Sequence, residues 1–258
     1  MHIHMARQFN SILITGASSG IGAALAEAYA APGVRLFLSG RNAARLAEVA
    51  ASCIEKGADV ETAEIDVAEA QQMHDWITEA DDRSLLDLVI ANAGVSGDTS
   101  GAESTKEREQ RIRAINIDGV YNTVAPIAPR MRERQSGQIA LMSSLAAFRG
   151  LPSAPAYAAS KAWVRLYGEG LRGVLSGDGV GVSVICPGFV HSRITAANRF
   201  DMPLIMDSGR AARIILRGIA RNRARIAFPL RFYALVLLVS ALPPSLTDRF
   251  FATLPRKE

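Results

Sequence analysis

The chain has little cysteine, no apolar run of membrane-spanning length, no dense block of like charge and no internal repeat, and each absence removes a class of protein. Its two cysteines, Cys53 and Cys186, are too few for a disulfide framework or a cysteine zinc site. Lysine and arginine number 29 against 25 acidic residues, a net charge of +4 spread along the chain, which argues against nucleic acid as a partner. The most apolar stretch, Phe232 to Leu242 (FYALVLLVSAL), is eleven residues long, short of the ~18 to 20 that a membrane-crossing helix needs. No secretory signal with a cleavage site is found, so a reducing cytoplasm is the expected compartment. His2 and His4, in the opening MHIHM, are read as part of a flexible terminus over 1–10, and no metal site is assigned.

What is present is globular in character. The 258 residues are 49% hydrophobic and 21% charged, enough to bury roughly three quarters of the unfolded surface around one core. From Ser11 onward, short β-branched runs alternate with longer helical stretches. Strands are expected at 11–15, 34–39, 60–66, 86–93, 137–144 and 180–187, with 226–229 as a seventh. Helices are expected over 21–31, 43–56, 68–80, 107–135 and 156–176. The strands are near-continuously apolar, which fits a parallel sheet covered on both faces. No linker divides them, so a single α/β domain is expected over 11–229, followed by an apolar C-terminal extension over 230–258. Right-handed crossovers gather the strand C-termini at one edge, where a ligand crevice belongs.

The first strand runs directly into Thr15-Gly16-Ala17-Ser18-Ser19-Gly20-Ile21-Gly22 and then into a helical stretch. A dinucleotide pyrophosphate needs backbone amides at a helix N-terminus and no side chains in its way, which small residues in such a turn supply. The spacing differs from G-x-G-x-x-G, and the missing G-K-[ST] ending excludes a P-loop. Further along, Tyr157 and Lys161 are four residues apart on one predicted helix, so they share a face. A cation beside the phenol would draw its pKa down from ~10 toward neutrality and let Tyr157 exchange a proton. Ser144, at a strand end, can hydrogen-bond the same substrate oxygen. Adjacent residues alternate in direction on a strand, so only one of Ser143 and Ser144 can face the crevice. Alternation alone leaves both Ser144 and Ser143 open.

Taken in order, T-G-x-x-x-G-x-G at Thr15 to Gly22, Asp66-Val67, Asn92-Ala93-Gly94, Asn116, Ser144, Tyr157-Ala158-Ala159-Ser160-Lys161 and Pro187-Gly188 resemble the short-chain dehydrogenase/reductase family over 11 to about 195. The resemblance implies a Rossmann-type doubly wound parallel sheet of about seven strands, and NAD(P)-dependent interconversion of a carbonyl compound and an alcohol. It implies a catalytic group of Asn116, Ser144, Tyr157 and Lys161, with Asn116 anchoring a water that links Lys161 to solvent. Cofactor contacts are implied at Gly16, Ser18, Ser19, Gly20, Ile21, Gly22, Asp66, Val67, Asn92, Ala93, Gly94, Tyr157, Lys161, Pro187, Gly188, Val190 and Ser192. Asn92 is expected near the adenosine ribose, and Ala91 stands where the family commonly has another asparagine. Ser192 stands where threonine is usual and keeps the hydroxyl. His191 is left without a role, because Tyr157 already fills that of the base. A homodimer or homotetramer is implied as well.

An acid at the end of the second strand would hold the ribose hydroxyls and repel a 2′-phosphate, whereas arginine forks onto phosphate. Here Gly40 and Arg41 stand at that place, with Arg45 near, so NADP(H) is the expected cofactor and NAD the alternative. Val95, Ser96, Ala146, Phe148, Leu151 and 194–205 are candidate substrate walls. Their apolar character points to a hydrophobic carbonyl compound. The tail is expected to pack on the domain or in a subunit interface. The competing expectation is a contact with the inner face of a membrane, with Phe250 and Phe251 adding apolar area. A nucleotide-binding redox sensor and a membrane-surface reductase of long-chain keto lipids are the alternative functions.

Overall fold

Seven strands pair in parallel into one sheet, in the order β3-β2-β1-β4-β5-β6-β7, in a computed structural model that describes residues 7–96, 104–192, 195, 202, 204–243 and 245–247. The strands are β1 Ser11–Ile14, β2 Arg35–Gly40, β3 Asp59–Glu64, β4 Leu88–Ala91, β5 Gly137–Met142, β6 Val180–Pro187 and β7 Arg225–Phe228. The described helices are α1 Gly20–Tyr29, α2 Ala43–Glu55, α3 Ala70–Arg83, α4 Thr105–Arg113, α5 Gly119–Val124, α6 Ile127–Glu133, α7 Pro155–Leu175, α8 Ser208–Ala220 and α9 Leu230–Ser240. Because β1 pairs with both β2 and β4, the strand order reverses beside it, and the crevice opens at the C-terminal ends of β1 and β4.

Every residue of β1, β4, β5 and β6 is buried, as helices on both faces require. Successive residues point to opposite sides. Ile12, Ile14, Leu36 and Leu38 pack with Leu25 of α1 and Ile215 and Ile219 of α8, while Leu13, Phe37 and Val89 pack with Met73 and Ile77 of α3 and Val164 of α7. The edge strand β3 is only partly buried and carries Asp59, Glu61 and Glu64, charges that discourage pairing with another chain. Asp81 of α3 is fully buried. It accepts hydrogen bonds from Arg130 at 2.6 Å, Arg134 at 2.9 Å and the Leu86 amide at 2.9 Å. Burial alone would raise its pKa, but these donors outweigh burial and hold the carboxyl below its ordinary range.

The structure departs from the sequence reading in four places. The helix expected over 107–135 starts earlier, at Thr105, where Ser104 and Glu107 form a capping box. It then passes through a π-turn at Ala114–Asp118 and breaks before Ile127. Pro126 supplies no amide hydrogen and crowds the carbonyl four residues before it, which accounts for the break. Helix α8 was not expected; Asp207 caps it by accepting the Arg210 amide at 3.0 Å. Of the terminus expected to be flexible, 1–6 lie outside the described residues, whereas 7–10 are held. The Arg7 amide donates to Ala220 O at 2.8 Å and Phe9 is buried. Finally, β3, β4 and β5 end two residues sooner than expected, so Asp66, Asn92, Ala93, Ser143 and Ser144 leave the ladder at the crevice.

Candidate active site

The turn after β1 is shaped by backbone crowding. Gly16 has φ +67°, a left-handed conformation that disfavours side chains. A Cβ on Gly22 would lie 2.3 Å from Gly16 O and 2.5 Å from Asn92 Nδ2. Asn92 spends its amide here, donating to Thr15 O at 2.9 Å and Gly16 O at 3.2 Å, so its side chain braces the turn. Thr15 Oγ1 accepts the Asn92 and Ala93 amides at 3.1 and 3.2 Å and ties β1 to β4. Helix α1 opens at Gly20 without a side-chain cap from Ser19 and without an acid in its first turn. Its first amides therefore face the crevice as an anion-binding end, which fits a pyrophosphate.

At the end of β2, a Cβ on Gly40 would meet Ser18 Oγ at 3.0 Å, so an acidic side chain there would have to displace Ser18. Arg41, about half exposed, pairs with Asp66 at 3.3 Å, and Asp66 also accepts the Ala68 amide at 3.1 Å. Arg45 has a buried Nε without a hydrogen-bond partner among the described residues.

The π-turn places Asn116, fully buried, between the segment after β4 and helix α7. Its Oδ1 accepts the Val95 amide at 2.8 Å, and its Nδ2 donates to Val95 O at 2.8 Å and Ser160 Oγ at 2.9 Å. Every side-chain bond therefore holds the segment after β4 against α7. Gly94 backs onto the same spot, since a Cβ there would come within 3.1 Å of Lys161 Nζ.

The two serines after β5 are sorted by direction. Ser143 is buried and donates to Lys161 O at 2.7 Å, turning into α7. Ser144 is partly exposed, accepts the Ala146 amide at 3.1 Å, donates to Pro187 O at 3.5 Å and stands where its hydroxyl acts on the Tyr157 phenol. Pro155 in the first turn of α7 presets that helix, and Tyr157 and Lys161 follow one turn apart. Lys161 is buried, with Nζ 2.9 Å from Met142 O and 6.0 Å from the centre of the Tyr157 ring. Its burial brings the ammonium down to about 8.

This geometry corrects one expectation. The sequence reading has Lys161 lowering the Tyr157 pKa, yet burial pushes Tyr157 above the ordinary tyrosine value, and only the Ser144 hydroxyl acts the other way. Lys161 is turned toward the β5 backbone. Near neutrality Tyr157 is therefore a neutral phenol.

After β6, the Gly188 amide donates to Phe228 O at 2.8 Å, Val190 bridges to Met206 and Thr195 Oγ1 donates to Val190 O at 2.8 Å. The Ser192 amide donates to Thr195 Oγ1 at 2.9 Å, and Ser192 stands close enough to Gly20 that a Cβ there would lie 3.1 Å away. Thr15, Ser160 and Thr195 were not singled out from the sequence. Thr15 was legible as the residue opening the glycine motif, and Thr195 as the partner three residues after Ser192.

Of the candidate walls, Val95 and Ser96 sit at the β4 exit, partly buried. Ala146, Phe148 and Leu151 line a cavity of about 510 Å³ with Pro155, Ala158 and Ala159; neither Tyr157 nor Lys161 lines it. Within 194–205, only 195, 202, 204 and 205 are among the described residues.

A family model described as short chain dehydrogenase matches residues 10–202. An uncharacterized oxidoreductase of Myxococcus xanthus (strain DK1622) is 39% identical over 241 residues, 93% of this chain and 95% of its own. A solved short-chain dehydrogenase from Sphingobium yanoikuyae, in complex with NADPH, superposes with a TM-score of 0.78 at 26% identity, over 96% of this chain and 97% of that one. Levodione reductase superposes with a TM-score of 0.78 at 23% identity, over 87% of this chain and 98% of its own, a likeness of fold.

Proposed function

The chain belongs to the short-chain dehydrogenase family and is an oxidoreductase with a nicotinamide-cofactor fold, and from that premise we propose that it reduces an apolar ketone or aldehyde with NADPH, Tyr157 giving the proton. The observation that carries this reading is Tyr157 one turn before the buried Lys161 on α7, with Lys161 Nζ 6.0 Å from its ring centre and Ser144 just after β5, and with burial holding the phenol above its ordinary value. A phenol that keeps its proton at neutral pH suits an acid, and carbonyl reduction needs one.

NADPH, when bound, supplies the hydride that becomes the new C–H bond. The Tyr157 hydroxyl gives its proton to the substrate oxygen as that oxygen gains negative charge. Ser144, the other hydroxyl at the same place, donates a hydrogen bond to that oxygen. The resulting phenolate lies near the Lys161 ammonium, which carries its proton below about pH 8 and can return one. Asn116 acts as a positioning residue, holding the segment after β4 against α7. The α1 N-terminus would hold the pyrophosphate. Arg41 would leave Asp66 for the 2′-phosphate, with Arg45 beside it, because a phosphate offers the guanidinium a forked, doubly charged acceptor. The acid-free end of β2 supports NADPH over NADH.

The test follows NADPH and NADH oxidation across a panel of short and long-chain ketones, with Tyr157→Phe as control. Turnover of apolar ketones with NADPH, lost in the variant, is expected. Tight NADPH binding with no turnover of any carbonyl would overturn the reading in favour of a nucleotide sensor.

A further inference from the structure

Helix α9 is apolar on both faces. Its inner face is only partly covered: Phe232, Tyr233 and Val236 pack with Leu145, Phe148 and Val184. Phe148 meets Tyr233 at 5.5 Å, Phe189 stacks on Phe232 at 6.1 Å, and Arg225 donates to the Tyr233 hydroxyl at 2.8 Å. These contacts fix the helix on the loops after β5 and β6. Thr247 is buried and accepts from Arg149 at 2.9 Å, so the chain beyond the helix is also tied down.

The opposite face carries no polar group except at its start. Arg231, Leu235, Leu238 and Leu242 follow one another at helical spacing, and Leu230, Ala234, Leu237 and Ala241 form the neighbouring row. All eight are exposed, Leu235 at 53% and Leu238 at 66%. Half of the large apolar side chains exposed among the described residues fall between Leu230 and Leu246, so this is a patch and not scatter.

The charge of this part of the chain, with Arg231 on the patch itself, selects the occupant. From 208 to 247 there are seven arginines and no aspartate or glutamate. Of these, Arg210, Arg213, Arg217, Arg221, Arg223 and Arg231 are exposed, while Arg225 is engaged with Glu169. A second copy of this chain on a two-fold axis would set the patch against itself, bringing Arg231 toward its own image with no acid in the stretch to pair with. An anionic lipid surface offers both an apolar layer for the leucines and negative headgroups for the arginines. No helix among the described residues is long and apolar enough to cross a membrane, so the contact lies along the surface.

We propose that the outer face of α9 docks on an anionic bilayer, with its leucines in the headgroup boundary and Arg231 reaching the phosphates. The proposal stands on this surface and does not depend on the reductase reading.

The test is co-sedimentation of the full chain with vesicles of phosphatidylcholine mixed with phosphatidylglycerol, against vesicles of phosphatidylcholine alone. Binding to the mixed vesicles that weakens with salt is expected. L235E/L238E changes two exposed positions and should keep the melting temperature while lowering vesicle binding by roughly tenfold or more. Arg231→Glu gives a second, milder loss. Absence of binding overturns the proposal, as do equal binding to both vesicles and unchanged binding by a folded L235E/L238E. A chain that ignores vesicles but sediments as a dimer, made monomeric by L235E/L238E, assigns the face to a second copy.

Discussion

The crevice end of the sheet and the outer face of α9 treat polar and apolar groups in opposite ways. At the crevice, polar side chains are buried and each bond has a named partner: Asn116 holds Val95 and Ser160, Asn92 holds the glycine turn, and Ser143 holds the α7 backbone. On α9, leucines stand in solvent. A buried polar group without a partner is costly, so the crevice network fixes one geometry. An exposed leucine costs folding little, so the outer face of α9 is free to serve a contact beyond the chain. The first region is organised from within, and the second is left open for the proposed bilayer contact.

The sharpest way to break this comparison is at Tyr157. Tyr157→Phe keeps the ring and removes the proton, so kcat should fall by roughly a thousandfold, with Ser144→Ala costing roughly a hundredfold. Ser143→Ala removes a bond to the α7 backbone and should lower stability by about 1 kcal/mol. It should move kcat far less than Ser144→Ala does. Steady-state kinetics and thermal melts on the three variants separate the roles, and equal kinetic losses at both serines would erase the distinction.

Asp81 extends the principle of internal partnership away from the crevice. Asp81→Ala leaves Arg130 and Arg134 without their shared acceptor and should cost about 2 to 4 kcal/mol in denaturant unfolding, softened because both arginines reach water. Its folded pKa lies below the unfolded value of ~3.9. The stabilisation is therefore present above that value and is lost as pH falls through the folded one. An acid titration of stability in which wild type and Asp81→Ala converge checks the sign.

What the sequence made legible follows the same divide. Tyr157 and Lys161 could be placed together because one turn of helix fixes their relation, and the glycine turn because only small residues fit it. Asn116 was named, but the π-turn that aims it arises from packing against Val95 and Ser160, partners 21 and 44 residues away. The direction of the Tyr157 shift was misread for a related reason. Sequence spacing shows that a cation is near, but not that Lys161 turns to the β5 backbone and leaves burial as the largest influence on the phenol. The strand ends at 92–93 and 143–144 continue apolar runs and so read as ladder, whereas Asn92 braces the glycine turn and Ser143 turns into α7. Arg41 was visible as a cation; its partner Asp66 came into view only when β2 and β3 were in register.

Lys161 gives a test in which activity and stability move in opposite directions. With its ammonium near 8, reduction measured as kcat/KM should decline above that pH as the proton is lost. Its folded value lies below the unfolded ~10.4, so burying the charged form costs stability at lower pH. That cost is relieved between about 8 and 10. Over that window the stability of wild type relative to Lys161→Met should rise while turnover falls. A parallel decline of both would mean that the ammonium is held by an attraction stronger than its desolvation.

A smaller effect is expected at Arg41. Arg41→Ala removes a half-exposed ion pair that contributes less than about 1 kcal/mol to folding. The apparent affinity for NADPH should nevertheless fall by roughly tenfold, with NADH unchanged. Titrations with both nucleotides read the difference directly. Equal losses would place Arg41 outside the phosphate contact.

The smallest effect sits on α9 and bears most directly on the contrast between the two regions. In buffer without lipid, L235E/L238E should shift unfolding free energy by no more than about 0.5 kcal/mol, since neither leucine is buried. Glutamates on an arginine-rich surface can even stabilise slightly by relieving like-charge repulsion. An unchanged stability would leave the leucine row, next in sequence to an acid-free arginine stretch, available for the proposed bilayer contact. A drop of several kcal/mol would show instead that the row is an internal contact, and α9 would then join the crevice as a region organised from within.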